Sequence, residues 1–301
     1  MRFLERLGRY ARAAWKAWWR GGAEAFEAHA VARLRTRLGV DHLETRVGMV
    51  AAATATWSVT TWIEQAVLEQ TPLVSVILPT HNRSHLLPRA VSSVRSQAYA
   101  HWEIVVVDDG STDETSRVLE RLGDELGPER LKALRTPPGG VCAARNHGLA
   151  AAKGSLIAYL DDDNAMHPLW LKAVAWAFWQ RPDVDVLYGG VIVDDFLRLN
   201  RRSAGALPSY HLVAFDRARV VQENLADIGA IAHRSGLPEA RFDESLREMG
   251  DWDLLVRLTR DKAPLVLPTV ACFYSTAGAD RLSGGPTFET DAARVKTKAR
   301  Q

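Results

Sequence analysis

Three consecutive aspartates, Asp161, Asp162 and Asp163, follow a short apolar run and could act together in chemistry. Adjacent carboxylates repel one another unless a cation or hydrogen-bond donors lie among them. A divalent metal would relieve the repulsion. Hard oxygen ligands suit Mg²⁺ or Mn²⁺, and proteins often hold Mg²⁺ with one or two carboxylates and the phosphates of a substrate. The alternative is a solvated acidic loop that caps the next helix, and the cluster alone leaves both interpretations open.

Apolar strands alternate with helical patterns from residue 72 onward. The sequence predicts strands over 73–78, 103–107, 130–135 and 155–160, and helices over 86–97, 113–122 and 141–153. Short, wholly apolar strands are typical of buried parallel sheets. Polar residues follow the predicted strands, at the sheet edge where open α/β folds bind their ligands. The sequence therefore predicts an α/β fold with a site at the carboxyl ends of its strands.

Five motifs stand in a fixed order along this region, namely VSVILPTHNR at 74–83, WEIVVVDDGSTDET at 102–115, GGVCAARNHGL at 139–149, IAYLDDDN at 157–164 and RFDESLREMGDWDLLVRL at 241–258. Together they resemble the family 2 glycosyltransferases over roughly residues 72–275. The resemblance implies the GT-A fold, a Rossmann-like mixed, mostly parallel sheet flanked by helices. It also implies an inverting, metal-dependent enzyme that moves a sugar from a nucleotide-diphospho sugar, with UDP favoured, to an acceptor hydroxyl.

The resemblance places the nucleotide base between two loops, with Pro79, His81, Asn82 and Asp109 as candidate contacts. Asp109 can accept a hydrogen bond from an N–H of uracil or another base. His81 stands where the family usually has tyrosine. Its imidazole could stack on a base, or it could be a histidine that is hydrogen-bonded within a turn.

The resemblance also assigns roles near the diphosphate and ribose. Arg145 is implied to lie near the base or the phosphates, and its alternative is a salt bridge to a strand-end aspartate. Asp163 is the expected metal ligand and Asp162 the expected ribose contact. Asp161 could serve either purpose, so it is a candidate for both.

The segment at 241–258 is similar to the family's segment that carries the catalytic base. The family usually has Glu-Asp where this chain has Gly250-Asp251, which makes Asp251 the candidate general base for a single displacement. Asp253 is the alternative base, although it could instead cap or salt-bridge the following helix. Trp252 could line the acceptor site with its aromatic face or pack in the core.

The C-terminal region departs from the family pattern a second time. Many relatives complete the metal site with a histidine, but none follows His233 here. Asp280 could replace it, or water and diphosphate oxygens could fill the coordination shell. Together with Gly250, this departure keeps a second hypothesis open, a non-catalytic nucleotide- or sugar-binding scaffold. A sugar-phosphate nucleotidyltransferase is disfavoured because PTHNR lacks the glycines of a phosphate loop.

Composition limits the partners and the compartment. The net charge of +2 gives no field that favours nucleic acid. Two cysteines cannot build a zinc knuckle and indicate the cytoplasm. No apolar run reaches the ~18 residues of a membrane span. Residues 180–235 are expected to form the acceptor wall, but they carry no motif that identifies the acceptor.

The sequence divides into an N-terminal helical extension at 1–70, a catalytic domain at 71–275 and a tail at 276–301. Residues 1–40 carry eight Arg and one Lys against three Glu. They predict a basic amphipathic helix that ends at Gly21-Gly22 and a second helix that ends near Gly39. The first helix is expected to dock on the catalytic domain or on a second copy, or to attach peripherally to the inner face of an anionic membrane. A short strand is predicted near 57–63, and a mobile or disordered tail after Arg281.

Overall fold

The computed structural model describes residues 58–194, 209–275 and 287–299 of the chain. The predicted basic helix within residues 1–40 and the candidate Asp280 lie outside these ranges, so they stay predictions, as do the domain boundaries. Within the described ranges, no helix combines the length and apolar character that a bilayer crossing requires.

Strands and helices alternate through the first half of the described chain. The strands are β1 Val74–Thr80, β2 Trp102–Asp109, β3 Leu131–Thr136, β4 Leu156–Tyr159, β5 Ala165–Met166, β6 Val186–Asp194, β7 Ser209–His211, β8 Ile231–Arg234 and β9 Leu265–Ser275. The helices are α1 Leu87–Arg95, α2 Thr115–Leu126, α3 Val141–Ala151, α4 Trp170–Gln180, α5 Arg217–Val220, α6 Gly250–Leu258 and α7 Phe288–Lys298. A helical segment over 58–65 precedes them, and a 3₁₀ turn covers Ile228–Ala230.

These strands form one mixed sheet in the order β3-β2-β1-β4-β8-β6-β9-β5, with β7 paired to β6. The first four in that order are parallel, and β8 runs antiparallel to both of its neighbours. Every residue of β1 and of β2 is buried, which explains why their sequences lack the alternation of half-exposed strands. The predicted mixed, mostly parallel sheet flanked by helices is confirmed.

The register of the parallel strands brings three loops to one edge of the sheet. Thr80 at the end of β1 lies opposite Asp108 of β2, and Ile77 lies opposite Tyr159, the last residue of β4. The loops that follow β1, β2 and β4 are therefore neighbours. This edge carries the predicted base-binding loops and the acidic cluster.

Helices cover both faces of the sheet, and each face has its own core. One core includes residues of α1 and α4, such as Leu87, Val91 and Trp170. The other includes residues of α3 and α6, such as Cys142 and Leu254. A Cβ on Gly148 would lie only 2.5 Å from Cγ2 of Ile77, so α3 packs directly against the sheet at that glycine.

The strand predicted near residues 57–63 is wrong, because residues 58–65 are helical. Val59 and Ile63, four residues apart, are both buried, and the ring of Trp62 packs edge-on against Trp176 at 4.4 Å. Helical spacing of the buried residues outweighs the β propensity of this β-branched, aromatic stretch.

The mobile tail predicted after Arg281 is also wrong for residues 287–299, which include the helix α7. Val295 is fully buried. Lys298 Nζ lies 2.7 Å from Asp243 and 2.5 Å from Asp253, and Asp291 accepts hydrogen bonds from the backbone N–H groups of Arg247 and Glu248, each at 2.9 Å. These contacts fix α7 against the segment that leads into α6.

Candidate active site

A cleft of about 930 Å³ opens at the carboxyl ends of β1, β2 and β4. Among the described residues, the structure brings every candidate for catalysis, donor binding or metal binding to its walls, apart from the alternative Asp253. Those residues are Pro79, His81, Asn82, Asp109, Arg145, Asp161, Asp162, Asp163, Asp251 and Trp252. Candidates up to 173 positions apart in sequence, from Pro79 to Trp252, therefore belong to one site.

The two predicted base-binding loops are tied together by hydrogen bonds. His81 Nδ1 lies 2.7 Å from the backbone carbonyl oxygen of Asp109. Asn82 has a left-handed φ of 53°, and its side-chain oxygen accepts the backbone N–H of Thr112 at 2.7 Å. The His81 ring is thus hydrogen-bonded through Nδ1 to the last residue of β2 rather than within its own turn, and it lies exposed in the cleft.

The carboxylate of Asp109 accepts the backbone N–H groups of Gly139 and Gly140, both at 2.7 Å. These glycines lead into α3, where an anion stabilises the unpaired N–H groups at the helix start. Asp109 therefore has a structural role in addition to its place in the cleft, and each of its oxygens can still accept a second hydrogen bond.

The acidic cluster is held by two arginines from neighbouring elements. Asp162 accepts from Arg83 at 2.8 Å and from the Thr80 hydroxyl at 2.7 Å. Arg83 also reaches Asp163 at 3.3 Å, while the buried Arg145 donates to Asp161 at 2.7 Å. The predicted salt bridge of Arg145 to a strand-end aspartate is present. A third arginine, Arg89, donates to the backbone carbonyl oxygen of Asp163, so guanidinium groups surround the three carboxylates.

Two carboxylates of the cluster have raised pKa values. Burial raises the pKa of Asp163 to about 6, and the charges of Asp161 and Asp162 add to the shift. Burial likewise raises the pKa of Asp162. An added cation would lower these pKa values by relieving the repulsion.

The donor set fits a divalent cation that shares its ligands with a substrate. Asp161 and Asp163 each use one oxygen for an arginine, which leaves the other oxygen of each for a metal. Among the described residues, no group of three or more His, Cys, Asp and Glu side chains is arranged to hold a metal. Mg²⁺ commonly takes one or two carboxylates and completes its shell with water and phosphate oxygens.

Asp251 lies in the first turn of α6 and faces the same cleft. Its carboxylate accepts the side-chain amide N–H of Asn224 at 2.8 Å and the backbone N–H of Trp252 at 2.8 Å. Burial raises the pKa of Asp251, and the charge of Arg145 opposes that shift. Two donors thus fix a carboxylate whose proton affinity is higher than that of an exposed aspartate.

The alternative base Asp253 lies outside the cleft. Its carboxylate is buried and pairs with Arg257 at 2.8 Å and with Lys298 at 2.5 Å. Trp252 is only 3% exposed, and its indole N–H donates to the carbonyl of Val220 at 2.6 Å. Trp252 therefore packs chiefly in the core, as its alternative interpretation predicted, and presents little ring face to a sugar.

Gly250 has a packing explanation. A Cβ at this position would lie 2.6 Å from Sγ of Cys142 and 3.5 Å from Cδ1 of Phe242. The sulfur on α3 thus occupies the space that a side chain at 250 would need. The glutamate usual at this position in the resembled family is incompatible with Cys142 in this arrangement.

Sequence reasoning missed several residues of the cleft. Asp227 is the most notable, since burial raises its pKa to about 8 and the charges of Asp161 and Asp251 contribute. Its carboxylate accepts the backbone N–H of Gly229 at 2.8 Å. Arg83 lies within a recognised motif, whereas Asp227 and Asn224 stand in a segment without one. The cleft is lined by residues of 180–235, the segment predicted to form the acceptor wall, and also by a face of α7.

The mixed, mostly parallel sheet flanked by helices matches the GT-A fold of glycosyltransferases. The family model for glycosyl transferase family 2 matches residues 75–230. The chain belongs to that family, and the predicted family and enzyme class are both confirmed.

The chain is similar in sequence to curated glycosyltransferases. The PGL/p-HBAD biosynthesis glycosyltransferase of Mycobacterium bovis is 32% identical over 189 residues, covering 62% of this chain and 69% of that protein. The chain spans 37% to 69% of the length of the first curated relatives that it matches.

Solved structures share the fold at lower identity. S. aureus TarS 1–349 in complex with UDP-GlcNAc has a TM-score of 0.60 and 22% identity, covering 75% of this chain and 66% of that one. The mannosyltransferase PcManGT from Pyrobaculum calidifontis in complex with GDP-Man and Mn²⁺ has a TM-score of 0.51 and 20% identity, covering 84% and 70%.

Proposed function

We propose that this protein transfers a sugar from a nucleotide-diphospho sugar, with UDP as the favoured nucleotide, to an acceptor hydroxyl by an inverting single displacement. The observation that carries the proposal is the shared cleft. It holds an acidic cluster suited to a metal and, on a separate element, a carboxylate fixed by two hydrogen bonds. The reaction needs both groups.

Asp251 is the proposed general base. The acceptor oxygen attacks C1 of the donor sugar as the C1–O bond to the diphosphate breaks, and Asp251 takes the proton of the acceptor hydroxyl. The raised pKa of Asp251 makes its carboxylate a better proton acceptor than an exposed aspartate. Asn224 and the N–H of Trp252 fix its orientation, so the carboxylate is already positioned for the proton transfer.

Asp163 and Asp161 would hold the metal, and Arg83 and Arg145 keep these carboxylates in position. When bound, Mg²⁺ or Mn²⁺ would stabilise the negative charge of the departing nucleoside diphosphate. Asp109 and the His81 turn would contact the base, because Asp109 is acceptor-only and suits the N3–H of uracil. TarS has been crystallised with UDP-GlcNAc and PcManGT with GDP-Man and Mn²⁺, which supports a nucleotide-sugar donor and a divalent metal.

A non-catalytic scaffold is the second candidate, favoured by Gly250 in place of the usual glutamate. Calorimetric titration with a panel of UDP- and GDP-sugars, with and without Mn²⁺, tests whether the cleft binds a donor. A second assay measures release of the free nucleotide from the bound donor without an acceptor. The enzyme is expected to bind a nucleotide sugar with Mn²⁺ and to hydrolyse it slowly. Tight binding without nucleotide release would favour the scaffold, and no binding of any donor would overturn both.

A further inference from the structure

One face of α7 forms a wall of the cleft. Phe288, Ala292 and Lys296 are spaced four residues apart and all line it, as expected for residues on one side of a helix. The buried residues Asp291 and Val295 anchor the helix to the domain. The helix thus has an anchored side and a side that is open to the cleft.

The cations of this region differ in whether they have carboxylate partners. Lys298 pairs with Asp243 and Asp253, and Arg294 lies 3.7 Å from Asp291. Within the described ranges, neither the Lys296 ammonium nor the Arg247 guanidinium has an acidic partner. Both unpaired cations line the cleft.

One contact places Lys296 near the proposed base, and another ties the backbone at Arg247 to α7. Lys296 Nζ lies 5.8 Å from the ring centroid of Trp252, the residue after Asp251. The backbone N–H of Arg247 donates to Asp291 at 2.9 Å, which ties the Arg247 segment to α7. In contrast, Arg83 and Arg145 are already paired with the acidic cluster. The cations that are available to a ligand therefore lie on the α7 side of the base.

We propose that Lys296 and Arg247 form a binding site for an anionic group on the acceptor, a phosphate near the hydroxyl that is glycosylated. Unpaired cations in a cleft attract such a group and orient it. Phe288, which is 40% exposed on the same face, provides an apolar contact for the rest of the acceptor. This inference rests on the proposed transferase function and specifies its substrate class.

The donor diphosphate is the other phosphate source that these cations could bind. Two calorimetric titrations separate these phosphate sources. The first arm measures the binding of UDP with Mg²⁺, and the second measures the binding of glycerol 3-phosphate. The second arm is run with and without saturating UDP and Mg²⁺, and neutral glycerol is its control. Saturating UDP fills the donor site, so any further phosphate binding belongs elsewhere.

The intact protein is expected to bind glycerol 3-phosphate but not glycerol when UDP is saturating. Lys296→Gln and Arg247→Gln should each weaken that binding roughly tenfold, as for a lost charge-assisted contact, and leave UDP affinity unchanged. Arg294→Gln, two residues from Lys296 and outside the cleft, is the matched control and should change neither.

Weaker UDP binding in the Lys296 and Arg247 variants would assign them to the donor and overturn the inference. Glycerol 3-phosphate binding that is absent, or equal in all variants, would overturn it as well. If UDP fails to bind the intact protein, the proposed function fails, while the titration without nucleotide still decides whether these cations form a phosphate site.

Discussion

Gly250 and Cys142 are expected to be energetically coupled, and a double-mutant cycle measures that coupling. In Gly250→Ala the new Cβ would start 2.6 Å from the Cys142 sulfur, about 1 Å inside a normal contact of 3.5–4.0 Å. Overpacking of this kind costs about 1–3 kcal/mol. In a helix interior, replacing glycine by alanine stabilises the helix by ~1 kcal/mol. The gain is smaller here because Gly250 is the first residue of α6. We expect Gly250→Ala to lower the free energy of unfolding by about 1–2 kcal/mol.

Cys142→Ala removes the obstructing sulfur and should cost about 1 kcal/mol of buried contact on its own. The double variant places a methyl group beside the space that the sulfur leaves. It should therefore be no less stable than Cys142→Ala alone, which corresponds to a favourable coupling of about 1–2 kcal/mol. Urea unfolding of the four proteins, followed by circular dichroism, gives the cycle. Effects that add within about 0.5 kcal/mol would refute the packing explanation for Gly250.

Three further predictions concern carboxylates of the site region. Asp227→Asn keeps an acceptor for the Gly229 N–H but removes a group whose pKa is raised to about 8. The contribution of Asp227 to stability is lost as pH rises from about 4 towards 8, so thermal unfolding should show the variant about 1–2 kcal/mol more stable at pH 7 and no more stable at pH 4. A pH-independent difference would contradict this. Asp163→Ala should stay folded and abolish the Mn²⁺ dependence of nucleotide binding in calorimetry. Asp183→Ala changes an exposed carboxylate outside the cleft and should bind like the wild type. Undiminished Mn²⁺-UDP affinity in Asp163→Ala would contradict the metal site. Asp253→Asn should lower the unfolding free energy by about 2 kcal/mol because it leaves Lys298 and Arg257 without their buried partner, and an unchanged urea midpoint would contradict that role.

The acidic edge of the site could be predicted because parallel strands end together. Asp109 and Asp161 each follow or end an apolar strand, and such strands signal their own boundaries. Asp251 could be found only through a family motif, because an aspartate in the first turn of a helix shows no sequence pattern that indicates catalysis.

Other parts depend on contacts that local sequence does not encode. Asp227 is notable because of the folded environment around its carboxyl group, and no neighbouring residue in the chain signals it. The α7 wall was missed because the polar and glycine-rich residues near it suggested a tail, although Phe288, Ala292 and Lys296 share a helical period. The segment 58–65 carries β-branched residues, and only its packing against the core selects a helix.

The central claim is that Asp251 is the proton acceptor in a cleft that binds a nucleotide sugar. The most direct measurement compares donor affinity and single-turnover rate of nucleotide release for wild type and Asp251→Asn. Glu223→Gln is the control, because it makes the same carboxyl-to-amide change at an exposed position in the same cleft. We expect Asp251→Asn to bind the donor normally and to lose at least ~10²-fold in rate, while Glu223→Gln stays close to wild type. A rate for Asp251→Asn within a few-fold of wild type would contradict the account.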